Sequence, residues 1–312
     1  MTLFDAPILT NGATHSAQAF RMLVRDLSLG AEGITQGDDL KVTQLDTPGG
    51  GVQISDGSGI VRGRVSAFQG SYAVCNVGED TIDIAATGGT PRSDLVIIRV
   101  EDPEYEGTLD PEVDPVVYFD VISNVSSSAT AIPDGRTGIP LARIDIPAST
   151  ATITDAMIVD VRQIANPRRQ RQMLPVQSPT SASNDLGAST TFAYWTTVPG
   201  WSVAIPDWAS KAIVDVRVSS LRLTTNNFYG AFRATFGASL TLQSVTIDDN
   251  QGTGVRRVPT EAADTLTIPS AYRGTSQVLR PQAAGYSGNL GRASANESTT
   301  FLADIEFIEA PR

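Results

Sequence analysis

The sequence predicts a mostly β protein of two domains, and three observations carry that prediction. Short apolar–polar alternations recur every ~8–12 residues between Gly, Asp, Pro and Ser clusters, the rhythm of a sandwich or barrel. Hydrophobic residues make up 41% of the 312 positions and charged residues only 18%, enough apolar material for two packed cores. One stretch, residues 166–187, breaks the alternation with Pro, Ser, Asn and Gln. The expected architecture has three parts. They are a short N-terminal helix plus a β-sandwich or barrel domain over 1–165, a linker or neck over 166–187, and a C-terminal jelly-roll-like β-sandwich over 188–312.

The helix is read over 14–29. Thr14 or Ser16 can cap its start, and Gly30 or Gly33 can stop it. Phe20, Leu23, Val24 and Leu27 fall on one face at spacings of three and four, which marks a docking helix for a sheet or a partner. From Asp39 the period becomes two. DLKVTQL, GVQISDG, GIVRGRVSAF, SYAVCNVG, TIDIAAT and DLVIIRVED read as strands. After an acidic loop, VVYFDVIS, IPLARIDIP and ATITDAMIVDVR follow. Beyond the neck, TTFAYWTTV, WSVAIP, KAIVDVRVSSLRLTT, YGAFRATFGA, LTLQSVTI, TLTIPS and TTFLADIEFIE make seven or so strands, whose edges need covering.

Composition excludes several chemistries. The net charge is −11, against a nucleic-acid partner. Residues 1–175 hold 23 acids and 13 bases, net −10; residues 176–312 hold 11 and 10, net −1, so the halves present different surfaces. The one cysteine, Cys75, allows no intrachain disulfide and is expected buried in its strand. The one histidine, His15, stands at the helix start with no nucleophile near it in sequence. Ser–His–Asp and Cys–His catalysis and a Cys/His zinc site are therefore not supported, and the expectation is no enzyme, no cofactor and no metal. Gly49–Gly50–Gly51 follows Pro48 and precedes a strand, so it reads as a turn rather than a phosphate loop. The opening MTLFDAPILT lacks a basic n-region and a continuous apolar stretch. No leader is expected, and no run suits a membrane span.

Carboxylates crowd the loop holding Glu101, Asp102, Glu104, Glu106, Asp110, Glu112 and Asp114. With three prolines and little apolar cover, these acids are expected to be solvated rather than catalytic or calcium-binding. Asp248, Asp249 and Asn250 read as a turn. Tyr194, Trp195, Trp201 and Trp208 cluster, and Phe228, Tyr229 and Phe232 follow; core or interface filling outweighs sugar stacking for most of them. Trp208 and Tyr229, beside Asp207, Asn226 and Asn227, are the candidate glycan contacts. Arg168, Arg169 and Arg171 in the neck suit an acidic neighbour or solvent.

The first half resembles siphophage tail proteins: minor tail proteins of phages that infect actinobacteria, and the N-terminal part of baseplate upper proteins. The resemblance lies in ordered phrases over residues ~14–165, "EGI…GDDLKVT", "GVQISDGSGIVRG", "QGSYAVCN", "TPRSDLVIIRVEDPEYEG", "GIPLARIDIPASTATIT" and "IVDVRQ". Its firmest points are Arg92–Ser93–Asp94–Leu95–Val96, Pro140–Leu141–Ala142 and Asp160–Val161–Arg162. Family members often carry Ile where Ser93 stands, which puts the packing there in question. The resemblance implies a virion protein whose β domain attaches to a tail or baseplate hub as part of a multimer; it carries over no catalytic residue. Within it, Arg92, Asp94, Asp160 and Arg162 are expected to form structural ion pairs, joined by Arg62, Arg64 and Arg99.

The second half lacks these phrases. Jelly-roll tips of tail proteins often trimerise and recognise cell-surface glycans, which makes a homotrimer with host-surface adhesion the first reading. Two others stay open: a tail-associated polysaccharide-degrading enzyme, and a passive structural or decoration protein of the particle or of a contractile injection device.

Overall fold

The computed structural model describes residues 15–182 and 185–312 and is mostly β, as the sequence predicts. Two compact units divide the chain. One runs to Pro167 and takes in Ala310–Arg312; the other is Arg168–Glu309. The chain therefore passes between the units twice.

In the first unit, helix α1 (Ala17–Leu27) starts at Ser16, whose hydroxyl accepts from the Ala19 N–H. Thr14, the other expected cap, lies outside the described residues. Ten strands follow: β1 (Gly33–Ile34), β2 (Val42–Gln44), β3 (Gly51–Ile54), β4 (Gly57–Arg62), β5 (Ser71–Asn76), β6 (Asp80–Asp83), β7 (Arg92–Val100), β8 (Val117–Val125), β9 (Gly138–Ile146) and β10 (Ile158–Asp160). They make three antiparallel sheets, β1-β4-β5, β2-β3-β6 and β10-β9-β7-β8. One core joins them, built from Ile34, Leu40, Val52, Ile54, Val61, Val96, Leu141 and Ile144 among others. Strand β1 was not legible, because two residues carry no period. Its Gly33 is held at φ +131°, and a Cβ there would lie 2.1 Å from the Gln163 carbonyl oxygen. The alternation of β5 buries Val74 and so turns Cys75 outward, against the expectation that it is buried.

The second unit holds β11 (Arg169–Met173), β12 (Ala193–Tyr194), β13 (Trp201–Ala204), β14 (Lys211–Thr224), β15 (Phe228–Phe236), β16 (Leu240–Thr241), β17 (Val245–Asp249), β18 (Arg256–Thr267), β19 (Ser276–Gly285), β20 (Arg292–Ser294) and β21 (Thr300–Ile308). One sheet runs β11-β21-β14-β18, with β20 also on β14. The other runs from β12 and β13 through β19 and β15 to β16 and β17. Among the described residues, β12 with β13 and β16 with β17 are broken halves of single strands, and β20 is an addition. The sandwich then has eight strands in orders 1-8-3-6 and 2-7-4-5, which is the jelly roll. Its core carries Trp195, Trp201, Phe228, Phe232, Phe236, Phe301 and Phe307 between the sheets, so most of the aromatic cluster fills the core.

The first jelly-roll strand, β11, lies inside the segment read as a neck. It pairs with β21 from Arg169↔Ile308 to Met173↔Asp304. Its residues are nearly all exposed, so no apolar alternation announces it. Opposite charges tie it down instead: Arg168 to Glu309, Arg169 to Glu306 and Arg171 to Asp304. These arginines are thus paired within the chain, not left to solvent or a neighbour.

Candidate interaction surfaces

Helix α1 lies on the first unit through its polar side. Gln18 donates to the Phe68 carbonyl (3.0 Å), Arg21 to the Gln69 carbonyl (3.0 Å) and Arg25 to the Ala67 carbonyl (3.1 Å). At 100° per residue, Phe20, Leu23, Val24 and Leu27 fall on the other side. Phe20 is 42% and Leu27 74% exposed, while Leu23 and Val24 are half-buried. The four expected docking residues share a face, expected to lie on a sheet or a partner; the helix meets its own domain through the opposite side, and Phe20 and Leu27 of that face stay exposed. The polar side faces inward because acids wait there. Arg21 ion-pairs with Asp102 (3.2 Å) and Glu104, and its guanidinium lies 5.7 and 5.3 Å from the Tyr72 and Tyr105 ring centres. His15 stands edge-on to Phe20 at 6.0 Å, a local contact at the helix start.

The acidic loop is not simply solvated. Asp102 is buried and accepts from the Tyr72 hydroxyl (2.6 Å). Burial, reinforced by that bond, raises the Tyr72 hydroxyl pKa. Arg99 reaches Glu101 (3.3 Å) and Glu106 (3.5 Å). The Tyr118 hydroxyl donates to Glu101 at 2.7 Å and, with Arg99, holds that carboxyl below its ordinary range. Asp110 and Asp114 accept from the N–H groups of Glu112 and Asp110 and so close their own turn. Among the described residues no group of three or more His, Cys, Asp or Glu could hold a metal ion.

The expected ion pairs form, but as separate local pairs rather than one network. Arg92 grips Asp94 with two nitrogens (2.8 Å each), and Asp94, 0% exposed, also accepts from the Asn124 N–H (2.9 Å). Arg162 grips Asp160 (2.9 and 2.7 Å) and donates to the carbonyls of Asp39 and Arg312. Arg64 pairs with Glu32, so neither it nor Arg99 joins them, and among the described residues Arg62 forms no ion pair. A third pair of the same spacing, Arg143–Asp145, was legible in the sequence and passed over. Ser93 donates to Asp145 (2.8 Å), which gives the serine a polar task.

The candidate glycan contacts do not form one site. Asp207 and Trp208 precede β14, while Asn226, Asn227 and Tyr229 follow it. Its 14 residues separate the two groups by roughly 45 Å at ~3.3 Å per residue. Trp208 packs on the core with the Arg168 guanidinium 5.3 Å from its ring centre. The other end is a rigid frame. Asn227 accepts from the Gly252 N–H (2.7 Å), and the Asn226 carbonyl accepts from Arg256 (2.8 Å), which also pairs with Asp249. Asp248 and Asp249 therefore close a strand end, not a free turn. Asn289 accepts from the Tyr229 N–H (2.8 Å) and donates to the Gly187 and Gly291 carbonyls. On this frame Tyr229, 45% exposed, meets Tyr286 edge-to-face at 4.9 Å. Tyr286 was missed because no exposed aromatic neighbour marks it in sequence.

No family model matches the chain, and no curated protein matches it. Among solved structures, the chain is similar to infectious bursal disease virus Gx strain, at 10% identity and TM-score 0.26, over 94% of this chain and 82% of that one. The VP2 subviral particle of the same virus gives 10% and 0.24, over 94% and 82%. The Bacillus thuringiensis insecticidal delta-endotoxin Cry8Ea1 gives 10% and 0.18, over 89% and 54%. Likeness at these scores carries no argument about function.

Proposed function

We propose that the chain is a structural protein of a phage tail tip or baseplate, attached through its first unit and presenting its jelly roll to the host surface as a homotrimer. The observation that carries this reading is the orientation of α1. A helix that spends its polar side on its own domain leaves Phe20 and Leu27, with the half-buried Leu23 and Val24 between them, for a neighbour. Burying one Phe or Leu side chain is worth ~1.5–3 kcal/mol, so the face is a strong contact once covered. The tail-protein phrases of the first half supply the kind of neighbour. A binding rather than catalytic role is supported by the acids of the 101–114 loop, where Glu101, Asp102, Glu104 and Glu106 are held by Arg21 and Arg99. The test is immunogold labelling of particles from the host that carries the gene, together with cell binding by the purified chain. Label at the tail tip and saturable cell binding support the reading. Label over the head, or none on particles, overturns it.

A further inference from the structure

We propose that a cleft in the first unit takes an extended, basic segment of another protein, which adds a strand to the free edge of β8. The residues are not those of the α1 face, and the inference stands whether or not the tail reading does.

The cleft holds about 400 Å3 and is lined by residues 74–76 of β5, 80–82 of β6 and 117–119 of β8, with Ile98 of β7 at its floor. Side chains alternate across a strand, so a cleft over one face meets every second residue. Three residues in a row on each strand mean that the strand's edge looks in. The topology agrees. Strands β5, β6 and β8 each end their sheet. Among the described residues, no backbone hydrogen bond ties their outer edges to another strand. The sheets' opposite ends are short: β1 has two residues and β2 and β10 three each, and Ile34 of β1 is bridged to Ile164. Strand β8 runs for nine residues and holds neither Lys nor Pro, which elsewhere keep an edge from pairing. Its unpaired N–H and C=O groups are a template for one more strand.

The lining sets what fits. Val74, Ile82, Ile98 and Phe119 belong to the core or pack against it, so an added strand buries alternate apolar side chains on them. No Lys or Arg lines the cleft, but Asp80 does. Asp80 is exposed, as are Glu79 and Asp83 beside it, and among the described residues none of the three has an ion-pair partner. The occupant's other side chains are therefore Lys or Arg. Residues 1–14 of this chain hold Asp5 and no Lys or Arg, so charge favours another protein over the chain's own N-terminal segment.

The probe is a short fluorescein-labelled peptide that alternates Val with Lys and Thr, read by anisotropy on the full chain. The references are the same peptide with Glu for Lys, its two alternately N-methylated forms, and a peptide of residues 1–14. The Lys peptide is expected to bind saturably, at least tenfold tighter than the Glu and 1–14 peptides, and to slow amide exchange in β8 and thiol labelling of Cys75. One N-methylated form, the one that loses its donors to β8, is expected to bind at least tenfold more weakly than the other. Asp80→Lys, at an exposed position, is expected to reverse the preference between Lys and Glu peptides, and Val117→Lys to lose at least tenfold, both melting as wild type does. Equal binding of the two N-methylated forms overturns strand addition, and equal binding of the Glu peptide overturns the basic occupant. Residues 1–14 bound as tightly, or a changed solution mass of Val117→Lys without peptide, gives the cleft to this chain and overturns the outside partner. No saturable binding of the Lys peptide up to ~1 mM overturns the site.

Discussion

Replacing Arg168 by Ala is expected to destabilise the jelly roll by about 3 kcal/mol. Arg168 and Glu309 open and close the second unit, and they bind through two parallel hydrogen bonds, 2.8 and 2.6 Å. The Glu309 side chain is 1% exposed, so removing the guanidinium takes the cation from a buried carboxylate that keeps the Arg168 N–H (3.2 Å). Breaking a buried pair from one side costs ~3–5 kcal/mol; the half-exposed Arg168 lets some solvent reach the gap, which argues for the lower end. Glu309→Gln removes the charge and keeps an acceptor, so it should cost less. The double variant should cost less than the sum of the singles, with a coupling of about 1 kcal/mol or more. All three tryptophans, Trp195, Trp201 and Trp208, lie in the second unit, so urea unfolding followed by tryptophan fluorescence reports this unit alone. At ~2 kcal/mol per M, the midpoint should fall by about 1.5 M. A change of ~0.5 kcal/mol or less, with no coupling, is what an exposed ion pair gives and would refute the reasoning.

Three further predictions follow from the same contacts. Asp94→Ala leaves Arg92 and the Asn124 N–H without their shared acceptor and should cost the first unit about 3–5 kcal/mol, seen as a lowered calorimetric transition; an unshifted transition would show that solvent substitutes for the carboxylate. Hydrogen bonds from Arg143 hold Asp145 below its ordinary pKa, and Arg171 does the same for Asp304; burial opposes both. Depressed folded-state values stabilise the fold above the unfolded carboxylate pKa of ~3.9 and lose that contribution as pH falls through the lower folded values, so urea midpoints should be flat near neutrality and drop towards ~pH 3. Midpoints unchanged down to ~pH 3 would contradict this. Native chain should react at Cys75 with an aromatic disulfide reagent, because the thiol is exposed; reaction only after denaturation would place the side chain inside.

What was legible in the sequence is what apolar periodicity writes. The strands from β2 to β10, from β12 to β17 and β21 alternate or run apolar, and the jelly roll was expected from their spacing; β19, β20 and all but the last residues of β18 were not read, because their sequences show no clean apolar period. Strand β11 was not, because RQRQM holds its place by ion pairs to a strand more than 130 residues on, and only the fold brings Asp304, Glu306 and Glu309 opposite it. The helix was legible as an amphipathic segment, but which side faces the domain depended on Asp102 and Glu104, again distant in sequence. Asp207 and Trp208 looked close to Asn226 and Tyr229 along the chain, and the 14-residue length of β14 sets them at opposite ends. The pairs Arg92–Asp94 and Asp160–Arg162 needed no such information, since two residues along a strand share a face.

The most direct measurement is incorporation of full-length Phe20→Asp/Leu27→Asp chain into particles assembled in the host that carries the gene. Both side chains are exposed, so the purified variant should melt within a degree or two of wild type, its stability changed by about 0.5 kcal/mol or less. Its expected result is loss of the chain from sedimented particles while wild type is retained. Equal incorporation of a folded variant would contradict attachment through the outward face of α1.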